Sequence, residues 1–169
     1  MRLLRAGLAL QCAGAAGAAA AGSLIDRASA CALVLASISV LFAKHRAFFL
    51  ALSAWFAIDA LLALSPFGFA IRWLAPLAMI ASLAGDEERA RKLLIYGAAA
   101  VFAAHGLEAL MLKPRFLDYL IVTLDRIAGF SLSPSLARAA LIAIGILDVS
   151  LAVMLVRRPG PAVLGYMAF

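Results

Sequence analysis

The sequence predicts an all-α fold, an integral membrane helical bundle of about six transmembrane helices plus one short interfacial helix, in a single domain over residues 1–169. Three observations predict it. The 169-residue chain is 66% hydrophobic and 14% charged, whereas soluble domains sit near roughly 45–50% apolar and about 25% charged. A soluble core of this size could not hide so much apolar surface, so lipid is the expected solvent for much of it. Apolar runs recur between short polar breaks, and a span takes roughly 20 apolar residues, so the length admits about five or six. Finally, the basic residues behind the formal net charge of +6 gather at the ends of these runs, where anionic headgroups and the positive-inside bias place them. No basic face interleaved with aromatic residues and no zinc-finger spacing occurs, so nucleic acid is not an expected partner.

The first run, 4–22, follows Arg2 and Arg5 and is rich in Ala and Gly. Its basic start and small-residue end fit a cleaved signal peptide. They equally fit a first span whose small residues allow close helix packing. Ser23 to Arg27 is a polar break, and the second span is expected over 28–43, closed by Lys44-His45-Arg46. The third, 47–64, is interrupted only by Asp59. Ser65-Pro66-Phe67-Gly68 reads as a tight turn. The fourth span, 69–84, carries Arg72 near its start and Pro76 inside, where a missing backbone N–H predicts a kink.

The polar stretch 85–92 reads as a helix stop at Gly85, a loop and a new helix start. The fifth span is expected over 93–112 and ends at Lys113-Pro114-Arg115. Residues 116–130 are too few and too charged to span, with Asp118, Asp125 and Arg126 among them. The spacing of Phe116, Tyr119, Leu120 and Leu124 predicts an amphipathic interfacial helix instead. A serine cap followed by Pro134 starts the sixth span, 137–156, which Arg157-Arg158-Pro159 closes. A short apolar tail with Tyr166 and Phe169 suits the interface. With six spans, one side receives nine Lys and Arg residues and the other six. Both termini are therefore expected in the cytoplasm of a multi-pass protein of the inner (plasma) membrane.

Ionisable groups inside apolar runs are the functional candidates, because hydrocarbon penalises them by several kcal/mol unless they are paired or wetted. Five such groups are present: Asp59, Arg72, His105, Glu108 and Asp148. At about 1.5 Å rise per residue they fall at similar depths, roughly 13–22 Å from the cytoplasmic end of each run. His105 and Glu108, three apart, share a helix face. A shared acidic and histidine cavity is the expectation, suited to a proton, a polar headgroup or a quinone ring. One imidazole with three carboxylates would suit Mn, Fe or Zn, but no Glu-x-x-His pair occurs, so no metal is expected. Cys12 and Cys31 form no C-x-x-C pair and read as small apolar fillers. Residues 57–64 and 146–153 echo one another, as repeats around a transporter site do.

His105-Gly106 late in a span, the aromatic and acidic segment after Pro114, and Gly145-Ile146-Leu147-Asp148 ahead of Leu155-Val156-Arg157-Arg158 give residues 93–158 a further feature. This stretch resembles the DoxX-like family of small bacterial membrane proteins. The family more often has Glu where Asp148 stands, and it usually has four spans. The resemblance implies a helical bundle working beside other membrane or redox subunits, since relatives include a subunit of thiosulfate:quinone oxidoreductase and members tied to oxidative-stress complexes. It does not imply an autonomous enzyme, and the chain offers no nucleophile with a base, no phosphate loop and no haem ligand pair. The expected function is binding of a small quinone-like or lipid-like molecule. A proton- or ion-coupled transporter and a structural membrane partner without ligand are the alternatives.

Overall fold

The computed structural model describes residues 2–20, 24–42, 45–129 and 132–160. Ser23, Lys44, Ser131 and the apolar tail with Tyr166 and Phe169 lie outside them. The fold is an all-α helical bundle, with seven helices among the described residues: α1 (Arg2–Ala20), α2 (Leu24–Phe42), α3 (Arg46–Leu62), α4 (Ala70–Leu83), α5 (Glu87–Leu110), α6 (Pro114–Ala128) and α7 (Pro134–Arg157). Among the described residues there is no strand.

Each apolar run of the sequence becomes one helix, but the expectation of six spans is not met. Among the described residues, two helices are long and apolar enough to cross a membrane, the 24-residue α5 and α7. The reason is length: even helical to their ends, the runs 47–64 and 69–84 would reach only roughly 27 and 24 Å. The runs 47–64 and 69–84 count as apolar to their ends, yet Leu64 already leaves the helix with φ 53°, and α3 and α4 keep 17 and 14 residues. At about 1.5 Å per residue these reach roughly 26 and 21 Å, short of a hydrocarbon core about 30 Å thick.

The chain forms two compact units, one of Met1–Ala63 with Ile71–Leu94 and one of Leu64–Ala70 with Ile95–Phe169. In the first unit α1 packs along α2. Leu8, Cys12 and Ala16 recur every four residues on α1, one face of a helix, and join Val40, Phe49, Phe56 and Met79 in the core. Polar side chains tie the helices together across this core. The Arg5 guanidinium donates to the Val40 and Leu41 carbonyls at 3.2 and 2.7 Å, placing a cation at the C-terminal end of α2, where the helix dipole favours it. Ser37 donates to the Ala9 carbonyl at 3.0 Å and Ser53 to that of Trp73 at 2.7 Å. Pro76 leaves the carbonyl four residues back, that of Arg72, without its helical donor. The Gln11 side-chain amide fills that vacancy at 2.9 Å.

The second unit holds most of α5, with α6 and α7. Ala98, Ala99, Ala152 and Leu155 form its small apolar core. Contacts of the low numbers on α7 with the high numbers on α5, and the reverse, make the two helices antiparallel. They cross where Gly106 meets Gly145. A Cβ on Gly106 would stand 2.9 Å from the Gly145 carbonyl oxygen, and one on Gly145 would stand 2.8 Å from that of Gly106. Only hydrogen fits between backbones so close. The most apolar 18-residue stretches of α5 and α7 are 28% and 22% buried, and Ile142, Ile144, Ile146, Leu147, Val153, Met154 and Val156 of α7 are all exposed.

The starts of α6 and α7 follow the sequence closely. Ser133 caps α7, accepting from the Leu136 amide at 3.3 Å, with Pro134 in the first turn. α6 starts at Pro114 and ends on Gly129 in the left-handed region, with φ 61°. It packs against α7. Asp118, Asp125 and Arg126 are exposed and Phe116, Leu120 and Leu124 half-buried, while Tyr119 is exposed with the charged residues.

Candidate functional site

The polar residues of the second unit converge at the exit of α5. The helix stops at Leu110, two residues before the expected end of the span, so Glu108 stands in its last turn rather than deep within it. Leu112 then takes φ 52°. The Lys113 amide donates back to the Glu108 carbonyl at 3.3 Å and the Leu112 amide to that of Ala109 at 2.9 Å. This is the Schellman pattern, which reverses the chain over the end of a helix. Pro114, preset for a first helical position, starts α6 at once. The reversal carries Lys113 and Arg115 back over Glu108.

Lys113 Nζ lies 2.6 Å from Glu108 Oε1, and Arg115 Nη2 lies 2.9 Å from both carboxylate oxygens. His105 Nδ1, one turn earlier, is 3.8 Å from Oε2. The Glu108 side chain is 15% exposed and that of Arg115 63%, so the carboxylate is held under its cations. Phe116 closes the group. The Arg115 guanidinium lies over its ring, 5.3 Å from the centroid, and the His105 ring is 5.8 Å from it. Cation–aromatic attraction of this kind contributes about 0.5–1 kcal/mol where exposed. Lys113, Arg115 and Glu108 together carry one positive charge in excess.

Of the five residues singled out in the sequence, His105 and Glu108 are in this group. Asp148 is half-buried near the middle of α7. It adjoins the glycine crossing, with its Cβ 3.0 Å from where a Cβ of Gly106 would be. Asp59 and Arg72 belong to the other unit. Asp59 is exposed at the end of α3. The Arg72 carbonyl is the one that Gln11 satisfies.

Sequence reasoning does not join Lys113, Arg115 or Phe116 to Glu108: it reads Lys113-Pro114-Arg115 as the end of a span and Phe116 as part of the apolar face of the next helix. Helical spacing rules reach three or four residues within one helix, whereas these partners are five and seven residues from Glu108, across a chain reversal. The one available signal was a carboxylate one turn before a cation-Pro-cation sequence.

Two apolar hollows lie away from this group. One, of about 180 Å³, sits between α2 and α3 against Leu33, Phe48, Leu52 and Trp55. The other is a groove of about 420 Å³ between α5 and α7. Chemically, the exit of α5 offers two cationic donors, an imidazole and an aromatic face beside the largely exposed apolar α7. Such a set can hold carbonyl, phenolic or anionic oxygens by charge-assisted hydrogen bonds. Among the described residues no three His, Cys, Asp or Glu side chains come together as metal ligands.

No protein family model, no characterised protein and no solved structure matches this chain.

Proposed function

We propose that the chain is a multi-pass protein of the inner (plasma) membrane that binds a small amphipathic molecule, quinone-like or lipid-like, at the exit of α5. α5 and α7 cross the bilayer, both chain termini lie in the cytoplasm, and α6 rests on the far surface. The observation that carries the reading is the pairing of two unlike surfaces. His105, Lys113 and Arg115 gather around Glu108 with one excess positive charge, directly beside the half-buried α5 and the apolar α7, most of whose residues are exposed. A helix of this apolarity in water would be covered by its own core. Left bare, it fits lipid as solvent. The polar end of the ligand meets Arg115 and His105, with Phe116 against its ring or first methylenes, and its apolar part follows the helices. In keeping with the DoxX-like resemblance, a quinone-like ligand would make the chain a membrane subunit beside redox partners.

The test is mass spectrometry of small molecules that co-purify with the full chain in mild detergent. The expected result is one amphipathic species enriched over bulk lipid with the native chain and lost with Arg115→Gln. Equal recovery from both would overturn the ligand reading. Vectorial proton uptake into liposomes without any enriched species would favour a transporter.

A further inference from the structure

We propose that the groove between α5 and α7, at the opposite end of this helix pair from His105 and Glu108, is a site for one anionic glycerophospholipid. An acyl chain lies along its wall and the headgroup meets Arg157. This rests on the reading of α5 and α7 as membrane helices, but not on any ligand at the exit of α5.

The groove is lined by Ala99, Ala100 and Ala103 of α5 and by Ala152, Val153 and Val156 of α7, with Arg157 at its end. Its volume, about 420 Å³, lies in the range of roughly 300–1,000 Å³ typical of small-molecule sites. Its origin is in the sequence. The glycines at the crossing bring the two backbones close at one level, and beyond it alanines on the facing sides leave a trough that no long side chain fills. An unfilled apolar trough in hydrocarbon takes a lipid chain, because lipid is the solvent there.

Charge selects the kind of lipid. Arg157 ends α7 and is exposed, as is Arg158 after it. They stand on the side of the membrane that the positive-inside bias assigns to the cytoplasm, where anionic lipids attract basic residues by about 1 kcal/mol each. Charge also argues against the other apolar occupant, a second copy. A two-fold axis along the membrane normal would place equivalent residues of the two copies at one depth. Two Arg157-Arg158 pairs would then face each other, a repulsion that an anionic headgroup relieves.

The experiment is native mass spectrometry of the full chain released from mixed vesicles of equal phosphatidylglycerol and phosphatidylcholine, read as the ratio of the two retained lipids. Carbonate extraction and vesicle flotation of the same preparation test membrane insertion separately, so a failure of that reading appears as protein that does not float. For floated protein, phosphatidylglycerol should predominate, and Arg157→Gln should lower the ratio roughly five-fold, the equivalent of about 1 kcal/mol. Arg138→Gln, which removes an exposed charge from the other end of α7, should leave it unchanged. Ala100→Leu, which fills the trough, should lower retention of both lipids. An unchanged ratio in Arg157→Gln, undiminished retention in Ala100→Leu, or a dimer in place of lipid adducts would each overturn the proposal.

Discussion

α5 has two ends built on one backbone pattern with different residues. At its entry, α4 closes with the Asp86 amide donating to the Ala81 carbonyl at 3.0 Å and the Gly85 amide to that of Ser82 at 3.1 Å. Gly85 takes the left-handed position, φ 80°, and the Asp86 carboxylate then caps α5 through the Arg89 amide at 3.0 Å. At its exit the same two backbone bonds recur, but Leu112 stands where Gly85 stood and Lys113 supplies no side-chain cap. The entry uses the residue types such a turn favours. The exit uses a leucine that costs about 1–2 kcal/mol in that conformation, and cations where a small polar cap belongs. What offsets the cost is the Glu108 carboxylate, held by Lys113 and Arg115. Strain alone does not mark a site, since Leu64 takes a similar φ of 53° after α3. What sets Leu112 apart is the charge gathered over it, which is why the exit of α5 is assigned a function and the entry a structural role.

The largest expected effect tests that difference directly. Hydrogen bonds to charged groups contribute about 1.5–3 kcal/mol each, and solvent screening of the exposed Arg115 reduces its share. Glu108→Ala should therefore destabilise the chain by about 2 kcal/mol, read by thermal unfolding in detergent. Asp86→Ala, which removes one cap, should cost about 1 kcal/mol. Equal losses would mean that the two ends are held alike.

Gly85→Ala comes next, at about 1 kcal/mol. It puts at the entry the strain that the exit already carries. With no ion cluster there to offset it, the loss should appear in full as a lower denaturant midpoint at unchanged slope. No loss would remove the basis for calling Leu112 strained.

A smaller effect concerns coupling. In a double-mutant cycle, Glu108→Gln with Arg115→Gln should be non-additive by about 0.5–1 kcal/mol, because the groups touch. Glu108→Gln with Asp148→Asn should be closer to additive, since Asp148 adjoins the glycine crossing. Stronger coupling to Asp148 would relocate the site from the exit of α5 to the α5–α7 crossing.

The sequence made the helices legible and left their lengths and partners obscure, for identifiable reasons. Helix starts were readable where one residue type does one job, as with Ser133 and Pro134. Gly85 was readable as a stop for the same reason. The end of α5 is not readable, because a leucine in the left-handed position looks like one more apolar residue, and the expected span runs through it to 112. Apolarity alone makes α3 and α4 look like spans, although runs so short do not reach across a hydrocarbon core. Depth along a run brought His105 and Glu108 together, since they share a helix face. It linked Asp59 and Arg72 to them only by assuming that every run spans the bilayer. Lys113 and Arg115 were hidden because contacts across a reversal follow no helical period. Gly106 and Gly145 stand out in the sequence only through a resemblance, while their contact is a tertiary fact.

The smallest expected effect has the opposite sign and separates turn chemistry from ion chemistry at the exit. Leu112→Gly should relieve about 1–2 kcal/mol of left-handed strain. Against this, glycine gives the unfolded chain about 0.5–1 kcal/mol of extra conformational entropy, and the half-buried leucine side chain loses some packing. The net should be a stabilisation of about 0.5 kcal/mol or less, with the ion cluster intact because the backbone bonds from Lys113 and Leu112 are unchanged. Combined with Glu108→Ala, it should recover only that small amount, since the glycine eases the turn without restoring the carboxylate. If Leu112→Gly instead rescued the Glu108→Ala loss completely, the cluster would serve only to hold a difficult turn. The case for a binding site at the exit of α5 would then rest on its exposed cations alone.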